Sequence, residues 1–357
     1  MLALACACLL AAAGASAGSF TKHEVKVGDA TRVYQVYRPN NLKRDQQARG
    51  VLAFHGFMSD PSGLRWLTKM DKAADKHGFV VIYPKALGGS FNAGRGSGTK
   101  DSDVDEEAFI KALLPKIVRE ENVDPARLYT LGFSNGAQMS ALMLCRFADE
   151  LAGAALVAHG MNIDDCQPSQ PVPSILIQGA KDPYVPFGGG GKHNLTSHKK
   201  SVELLKAINK VEGQGKILID KASVRCRGYG EDVRSCVGYG DGHTWPGGVK
   251  FKPDQFGKTN EELAASDFIL KFFSRHQQAP KALVAQAGAE AAGGAAATGD
   301  AAPRPYRGTY MQKPWYGQAQ PDTPPETDGS GFRLAPSRLT IETDIAKKRP
   351  NWQIGKP

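Results

Sequence analysis

The sequence predicts an α/β fold in which helices cover both faces of a doubly wound, mostly parallel sheet. Short apolar runs of strand length alternate with stretches of helical spacing between about residues 50 and 275. The order strand, helix, strand at this spacing implies parallel neighbours joined by a right-handed crossover. One apolar run also ends in the small-residue turn from Gly132 to Gly136, which leads directly into a helical pattern. Strands that are apolar throughout are typical of a sheet buried on both faces.

Each element of this fold is predicted from its own pattern. Glu24 to Arg38 alternates polar and apolar residues around the turn Gly28-Asp29, which predicts a β-hairpin at a sheet edge. Further strands are predicted at Gly50–Phe54, Phe79–Tyr83, Leu128–Gly132, Ala154–His159, Ser174–Gln178, Lys216–Cys226 and Asp232–Tyr239. Helices are predicted at Leu64–His77, Asp103–Glu120, from Ser134 to about Phe147, Ser197–Asn209 and Asn260–Arg275.

The two ends of the chain differ in composition from the part between them. Residues 1–17 are small and apolar and end in Ala15-Ser16-Ala17, which predicts a secretory signal peptide. Lipid modification at Cys6 or Cys8 is the alternative for this segment. Residues 280–357 are rich in Ala, Gly and Pro and have no period, so we expect a largely disordered tail. The folded catalytic domain is therefore predicted to span residues 18–279, in a secreted protein that is extracellular or periplasmic.

Charge, apolar runs and cysteine spacing exclude several classes of function. The net charge is +9, but the Lys and Arg residues are scattered, so we expect no nucleic-acid partner. After residue 17, no apolar run is long enough to span a membrane. No C-x-x-C spacing is present, so no metal site is expected. Of the six cysteines, Cys6 and Cys8 lie in the predicted signal peptide, which leaves four. Four cysteines permit three pairings, of which we favour Cys145 with Cys166 and Cys226 with Cys236.

The turn at Ser134 has the G-x-S-x-G pattern that places a serine on a strained turn between a strand and a helix. Gly132 and Gly136 leave room for the chain to reverse where a Cβ would collide with its neighbours. The helix behind the serine directs its free N–H groups and positive dipole end towards the hydroxyl. Ser134 is therefore the candidate nucleophile.

A serine needs a base to take its proton and an acid to hold that base in one tautomer. In this architecture both partners follow the serine along the chain, the acid first, on loops after later strands. Asp182 and His243 fit the order and the positions. The alternative acids are Asp164, Asp165 and Asp241. Among the other histidines, His159 also ends a strand, but no acid follows it in a matching loop.

The negative oxygen formed during acyl transfer needs N–H donors already in place. The candidate donors are the backbone N–H groups of Asn135, directly after the serine, and of Phe57, in the loop after a central strand. His55 ends that strand and Trp245 lies beside His243 in sequence. Both are expected to line the substrate pocket.

Four motifs in order resemble those of one known family. They are Ala53-Phe54-His55-Gly56, Gly132-Phe133-Ser134-Asn135-Gly136, Gly179-Ala180-Lys181-Asp182-Pro183 and Gly242-His243-Thr244-Trp245-Pro246-Gly247. Together they resemble the secreted esterases that include polyhydroxybutyrate depolymerases and feruloyl or acetylxylan esterases. The resemblance spans roughly residues 22–273 and implies an α/β-hydrolase fold, a triad of Ser134, Asp182 and His243, and ester hydrolysis without a metal or cofactor. Phe91 stands where many relatives have tryptophan, and Gly96-Ser97-Gly98 where they have cysteines.

The sequence therefore predicts a secreted serine esterase, with a polyester or 3-hydroxyacyl oligomer as its first expected substrate. A feruloyl or acetylxylan ester is the alternative. A serine peptidase on the same fold and a non-catalytic binding protein are the remaining rivals, because one fold can support several functions.

Overall fold

A computed structural model describes residues 18–95, 97, 104–250 and 253–278, with the side chains of residues 253 and 254 left out. The predicted signal peptide and the predicted tail lie outside these residues. The described part is built around one ten-stranded sheet. Its strands are β1 (Ser19–Val27), β2 (Ala30–Arg38), β3 (Ala48–Phe54), β4 (Phe79–Pro84), β5 (Val123–Phe133), β6 (Gly153–Val157), β7 (Ser174–Gly179), β8 (Lys216–Asp220), β9 (Val224–Tyr229) and β10 (Val233–Gly238).

The strand order is β1-β2-β4-β3-β5-β6-β7-β10-β9-β8. All neighbours from β4 to β10 in this order are parallel, whereas β1 and β2 at one edge and β8 and β9 at the other pair antiparallel. Strand β5, which leads to the candidate nucleophile Ser134, lies between β3 and β6, near the middle of the parallel part. The carboxyl ends of β3, β5, β6, β7 and β10 therefore meet at one edge of the sheet, where open α/β sheets bind ligands.

Helices cover both faces of the sheet, as the sequence predicted. They are α1 (Pro61–Thr68), α2 (Met70–His77), α3 (Glu106–Glu120), α4 (Asn135–Arg146), α5 (His198–Ile208), α6 (Pro253–Phe256) and α7 (Ala265–Phe273). Side chains of α3, α4 and α5 form one apolar core with one face of the sheet. Side chains of α1, α2 and α7 form a second core on the opposite face. Alternate residues of β3 enter the two cores, Leu52 the first and Val51 the second, because successive side chains on a strand point to opposite faces.

Three elements differ from the sequence-based expectations. The single helix predicted for Leu64–His77 is two helices, because Lys69 adopts the left-handed conformation with φ of 52° and ends α1. The strand predicted for Lys216–Cys226 is β8 and the start of β9, separated by a turn closed by the Lys221 N–H to Val224 O hydrogen bond of 2.9 Å. The short helix α6 follows the His243 loop and has no periodic signal to predict it.

The structure pairs Cys145 with Cys166 and Cys226 with Cys236, the two pairings that the sequence favoured. Cys226 and Cys236 lie directly opposite each other on β9 and β10, inside the hairpin. Cys145 lies in α4, so the other disulfide ties α4 to the loop after β6. Within the described ranges, no helix has the length and apolar character needed to cross a membrane.

Candidate active site

Ser134 lies at the sharp turn between β5 and α4, with φ of 55° and ψ of −120°. This backbone conformation is rarely adopted by residues with side chains, and it occurs mostly at functional sites. The two flanking glycines make the turn possible. A Cβ on Gly132 would collide with the carbonyl of Gly136, and a Cβ on Gly136 would collide with the carbonyl of Phe54. The glycines thus allow α4 to pack directly against β3 and β5, with the Ser134 side chain at their carboxyl edge.

Ser134, His243 and Asp182 form a continuous chain of hydrogen bonds. Nδ1 of His243 lies 2.7 Å from Oδ2 of Asp182, and Nε2 of the same ring lies 2.8 Å from Oγ of Ser134. When Nδ1 donates its proton to the carboxylate, Nε2 is left as an acceptor for the serine hydroxyl. Oδ1 of Asp182 accepts the backbone N–H groups of Tyr184 and Val185, each at 2.9 Å. The carboxylate is therefore fixed by three hydrogen bonds, and the imidazole is fixed by the carboxylate.

The loops that carry the acid and the histidine support each other. Gly179, at the end of β7, packs so closely against the carbonyls of Asp241 and Gly242 that a Cβ would not fit. His243 donates its backbone N–H to the carbonyl of Phe256 at 2.6 Å, so the segment around α6 holds the histidine loop from the other side. The histidine position therefore depends on an element that the sequence did not reveal.

The alternative acids do not reach His243 in the structure. Asp241 is buried, and Nδ2 of Asn260 donates to its Oδ1 at 3.3 Å. Burial raises the pKa of Asp241 to about 6. The Asp164 side chain is 73% exposed, with Arg95 as its ion-pair partner at 3.6 Å. The Asp165 carbonyl accepts a hydrogen bond from Arg146, and no contact joins its carboxylate to His243 within the described residues.

The two candidate oxyanion donors lie on backbone segments next to Ser134. Asn135 is the first residue of α4, so its N–H has no acceptor inside the helix. Gly56, directly before Phe57, packs against the nucleophile turn, and a Cβ built on it would lie 3.6 Å from the Cβ of Ser134. The turn continues into Met58, which has φ of 52° and donates its N–H to the carbonyl of Gly89 at 2.7 Å. The serine, a helix amino terminus and a second loop thus meet at one point.

No protein-family model matches the chain. Three of its sequence relatives are informative about function. The chain is 25% identical to the putative esterase NocK of Nocardia uniformis subsp. tsuyamanensis, over 71% of this chain and 82% of that protein. It is 29% identical to feruloyl esterase B of Piromyces equi, over 43% of this chain and 29% of that enzyme. It is also 29% identical to poly(3-hydroxyalkanoate) depolymerase C of Paucimonas lemoignei, over 31% of this chain and 27% of that enzyme. The matches thus span most of the first relative but less than a third of the other two.

A solved structure, an acetyl xylan esterase from Aspergillus awamori, has the same fold. It superposes with a TM-score of 0.51 at 14% identity, over 71% of this chain and 99% of that one. The chain has the α/β-hydrolase fold, and its sequence is similar to those of named esterases. The resemblance inferred from the four motifs is thereby confirmed, and so is the predicted fold class.

The side chain of Asn135 connects α4 to the loop after β4. Its Oδ1 accepts the Phe91 N–H at 2.8 Å, and its Nδ2 donates to the carbonyls of Phe91 at 3.0 Å and Ser97 at 3.2 Å. Gln138, one turn later in α4, donates to the carbonyl of Arg95. The side chain of the residue whose N–H is a candidate oxyanion donor therefore also holds a neighbouring loop in place.

His55 and Trp245 do not line a pocket, and in this respect the sequence-based prediction is wrong. Both side chains are 0% exposed. Nε2 of His55 accepts the Ala86 N–H at 3.1 Å and Nδ1 donates to Gly56 O at 2.8 Å, while burial lowers the pKa of this imidazole to about 4. Nε1 of Trp245 donates to Oγ of Ser266 at 3.0 Å. Both residues instead support the loops that carry Phe57 and His243.

Two neighbours of the candidate catalytic groups were not predicted from the sequence. His159 is buried in the loop after β6, and burial lowers its pKa to about 4, with a smaller lowering by the nearby His243. Tyr184 is 43% exposed, and its ring meets the His243 ring edge-on at 5.3 Å between centroids. Tyr184 follows Asp182 by two residues, so its place beside the histidine could be inferred only after the acid was assigned. Within the described residues, no cluster of three or more His, Cys, Asp or Glu side chains could hold a metal ion.

Proposed function

We propose that this protein hydrolyses carboxylic esters through an acyl-enzyme formed on Ser134. The observation that carries the proposal is the unbroken hydrogen-bond chain from Asp182 through His243 to Ser134. In the first half of the reaction, Oγ of Ser134 attacks the ester carbonyl and its proton passes to Nε2 of His243. The imidazolium then gives this proton to the departing alcohol. Asp182 accepts the hydrogen bond from Nδ1 and holds the ring in the productive tautomer.

In the second half, water replaces the alcohol. His243 takes a proton from the water, whose oxygen attacks the acyl carbonyl, and the same proton returns to Oγ of Ser134 as the carboxylic acid leaves. In both halves the carbonyl oxygen becomes negative, and we propose the N–H groups of Asn135 and Phe57 as its donors. The amino terminus of α4 favours this negative charge further.

We propose an ester attached to an extracellular polysaccharide, feruloyl or acetyl, as the first substrate class to test. The match to feruloyl esterase B covers 43% of this chain, whereas the match to the poly(3-hydroxyalkanoate) depolymerase covers 31%. We therefore rank polysaccharide esters ahead of 3-hydroxyacyl oligomers, which reverses the ranking expected from the sequence. Phe57 and Tyr184 are 37% and 43% exposed beside the candidate catalytic groups and can stack on a ring. A 3-hydroxyacyl oligomer is the second candidate, supported by the depolymerase match. Two disulfides support a secreted protein.

The decisive variant is Ser134→Ala, compared with the wild type on p-nitrophenyl acetate, methyl ferulate, acetylated xylan and 3-hydroxybutyrate oligomers. We expect turnover to fall by about 10³-fold or more on every ester that the wild type cleaves, because the nucleophile is lost. Circular dichroism serves as the control for folding. A folded Ser134→Ala variant with wild-type turnover would contradict the mechanism.

The same purified wild-type protein also distinguishes the esterase from a serine peptidase and from a binding protein. Cleavage of short peptides in preference to every ester would favour a serine peptidase. Failure of a fluorophosphonate probe to label the wild type, together with no ester turnover, would favour a binding protein. The proposed esterase is labelled in the wild type and is not labelled in the Ser134→Ala variant.

A further inference from the structure

A second pocket lies beside the catalytic loops, between α5 and one face of β9 and β10. It has a volume of about 410 Å³. Ala180 and Phe187, from either side of the Asp182 loop, contribute to its wall, as does Tyr239 directly after β10. The role proposed for the triad does not use this pocket. Its size is within the range of small-ligand sites, about 300 to 1,000 Å³.

The pocket carries positive charge that is not neutralised. Arg225 on its rim is paired with Asp220 at 2.9 Å, and Glu203 is paired with Lys206 at 3.1 Å. Arg227, which is half-buried, also lines the pocket, as does Lys199. Within the described residues, Arg227 has no carboxylate at ion-pair distance, and the same holds for Lys199. A half-buried guanidinium without a counter-ion is suited to a carboxylate, which it can bind through two parallel hydrogen bonds.

Aromatic rings and an uncharged polar floor accompany this charge. The Phe187 ring stacks on the buried His198 ring at 4.7 Å between centroids. Nε2 of His198 lies 2.9 Å from Oγ of Ser235, and burial lowers the pKa of His198 to about 4, so the floor is neutral at pH 7. Tyr229 and Tyr239 also line the pocket, at opposite ends of the hairpin formed by β9 and β10. An aromatic ring in the same pocket as an unpaired guanidinium is suited to a cyclic ligand that bears a carboxylate.

The pocket lies within reach of the triad. Phe187, which lines the pocket, follows Asp182, which bonds His243, by five positions along the chain. A chain of this length spans at most about 18 Å when fully extended. The exposed Tyr184 lies between the two along the chain and contacts the His243 ring. The pocket is therefore near enough to the triad for one polymer chain, with its ester at Ser134, to place another of its units there.

We propose that this pocket binds a uronate unit of an acidic polysaccharide whose ester is cleaved at Ser134. The proposal rests on the proposed ester hydrolysis and narrows its substrate class to esters on uronate-bearing polymers. Arg227 binds the carboxylate, and the Phe187 ring contacts the sugar.

The test measures binding in the inactive Ser134→Ala background, so that turnover does not enter. The probes are an acetylated glucuronoxylan and the same polymer after an α-glucuronidase has removed its uronates. Affinity electrophoresis compares Ser134→Ala alone with the same variant carrying Arg227→Gln, which keeps the side-chain length and removes the charge. Arg44→Ala is the control for net charge, because Arg44 is exposed in the loop before β3, at the opposite edge of the sheet.

We expect Arg227→Gln to weaken binding of the uronate-bearing polymer about five- to tenfold and to leave binding of the trimmed polymer unchanged. Arg227→Lys should retain part of the affinity, and Arg44→Ala should retain nearly all of it. Equal affinity for the two polymers, or equal weakening by Arg227→Gln and Arg44→Ala, would overturn the proposal. Turnover of p-nitrophenyl acetate by the wild type reports separately on ester hydrolysis, so failure of one proposal is distinguishable from failure of the other.

Discussion

Main-chain contacts hold each candidate catalytic side chain in place. Ser134 is held in a strained conformation with positive φ by a turn that only glycines at 132 and 136 permit. Asp182 accepts two backbone N–H groups, and the backbone of His243 is bonded to Phe256. Polar groups that are already oriented need little reorganisation when charge develops in the transition state, and this is a main source of enzymatic rate enhancement.

At the scale of single residues, Asn135 gives the first prediction. Asn135→Ala keeps the proposed oxyanion N–H but removes the three hydrogen bonds to Phe91 and Ser97. Phe91 packs against His55 at 4.8 Å between ring centroids, and His55 precedes the Gly56-Phe57 turn. We therefore expect kcat on p-nitrophenyl acetate to fall about ten- to a hundredfold, because small misplacements of catalytic groups are costly.

Asn135→Asp is the matched control for this prediction. It retains the acceptor for the Phe91 N–H but cannot donate to the two carbonyls, so its kcat should lie between those of the wild type and Asn135→Ala. A wild-type kcat for a folded Asn135→Ala variant would show that the loop does not depend on this side chain.

The sequence predicted which residues would meet at the site better than it predicted their surroundings. Ser134, Asp182 and His243 each follow a strand of the parallel part of the sheet, and the carboxyl ends of such strands share one edge, so their meeting follows from strand order. The sequence did not show that His55 and Trp245 are fully buried. A motif gives a residue its place along the chain, but burial depends on elements far away in sequence, such as Ser266, which bonds Trp245.

At the scale of elements, the sequence predicted the number and type of most strands and helices but missed breaks at which the backbone changes direction. The helical spacing continues from Leu64 to His77, and only the left-handed Lys69 shows that α1 and α2 are separate. Both helices bury their apolar side chains in the same core, on the face that also packs against α7. A break in the backbone that preserves the apolar spacing leaves no trace in a periodicity analysis.

Lys69 gives a prediction about stability at this scale. Lys69→Gly should be at least as stable as the wild type, because glycine adopts φ of 52° without strain. Lys69→Val should be about 1 to 2 kcal/mol less stable than Lys69→Gly, because a β-branched side chain strongly disfavours this conformation. Urea unfolding of the three proteins measures the difference. Because the Lys69 side chain is exposed, lost packing is not a confounding effect. Equal stability of the Gly and Val variants would show that α1 and α2 can join into a different arrangement.

At the scale of the described domain, two apolar cores enclose the sheet, and few ionisable groups within them lack a partner. Arg32 and Glu106 are both buried and form an ion pair at 2.8 Å. Glu150 is different, since it is only 7% exposed and its Oε2 has no hydrogen-bond partner in the described part of the chain. Burial raises the pKa of Glu150 to about 7, and the neighbouring Asp149 adds to this effect.

Glu150 therefore makes the stability of the fold depend on pH. Between its ordinary pKa of 4.5 and about 7, the folded state holds the Glu150 proton more tightly than the unfolded state. The contribution of Glu150 to the free energy of unfolding is thus complete below about pH 4.5 and is lost as the pH rises through 7.

Glu150→Gln carries no charge at any pH, so it should be about 1 to 2 kcal/mol more stable than the wild type at pH 8 and close to it at pH 4. Thermal unfolding at the two pH values measures this, with Glu212→Gln as an exposed control of the same charge change. If Glu150→Gln shifts the unfolding temperature equally at both pH values, Glu150 is ionised in the fold despite its burial, and its carboxylate must then have a partner that neutralises it.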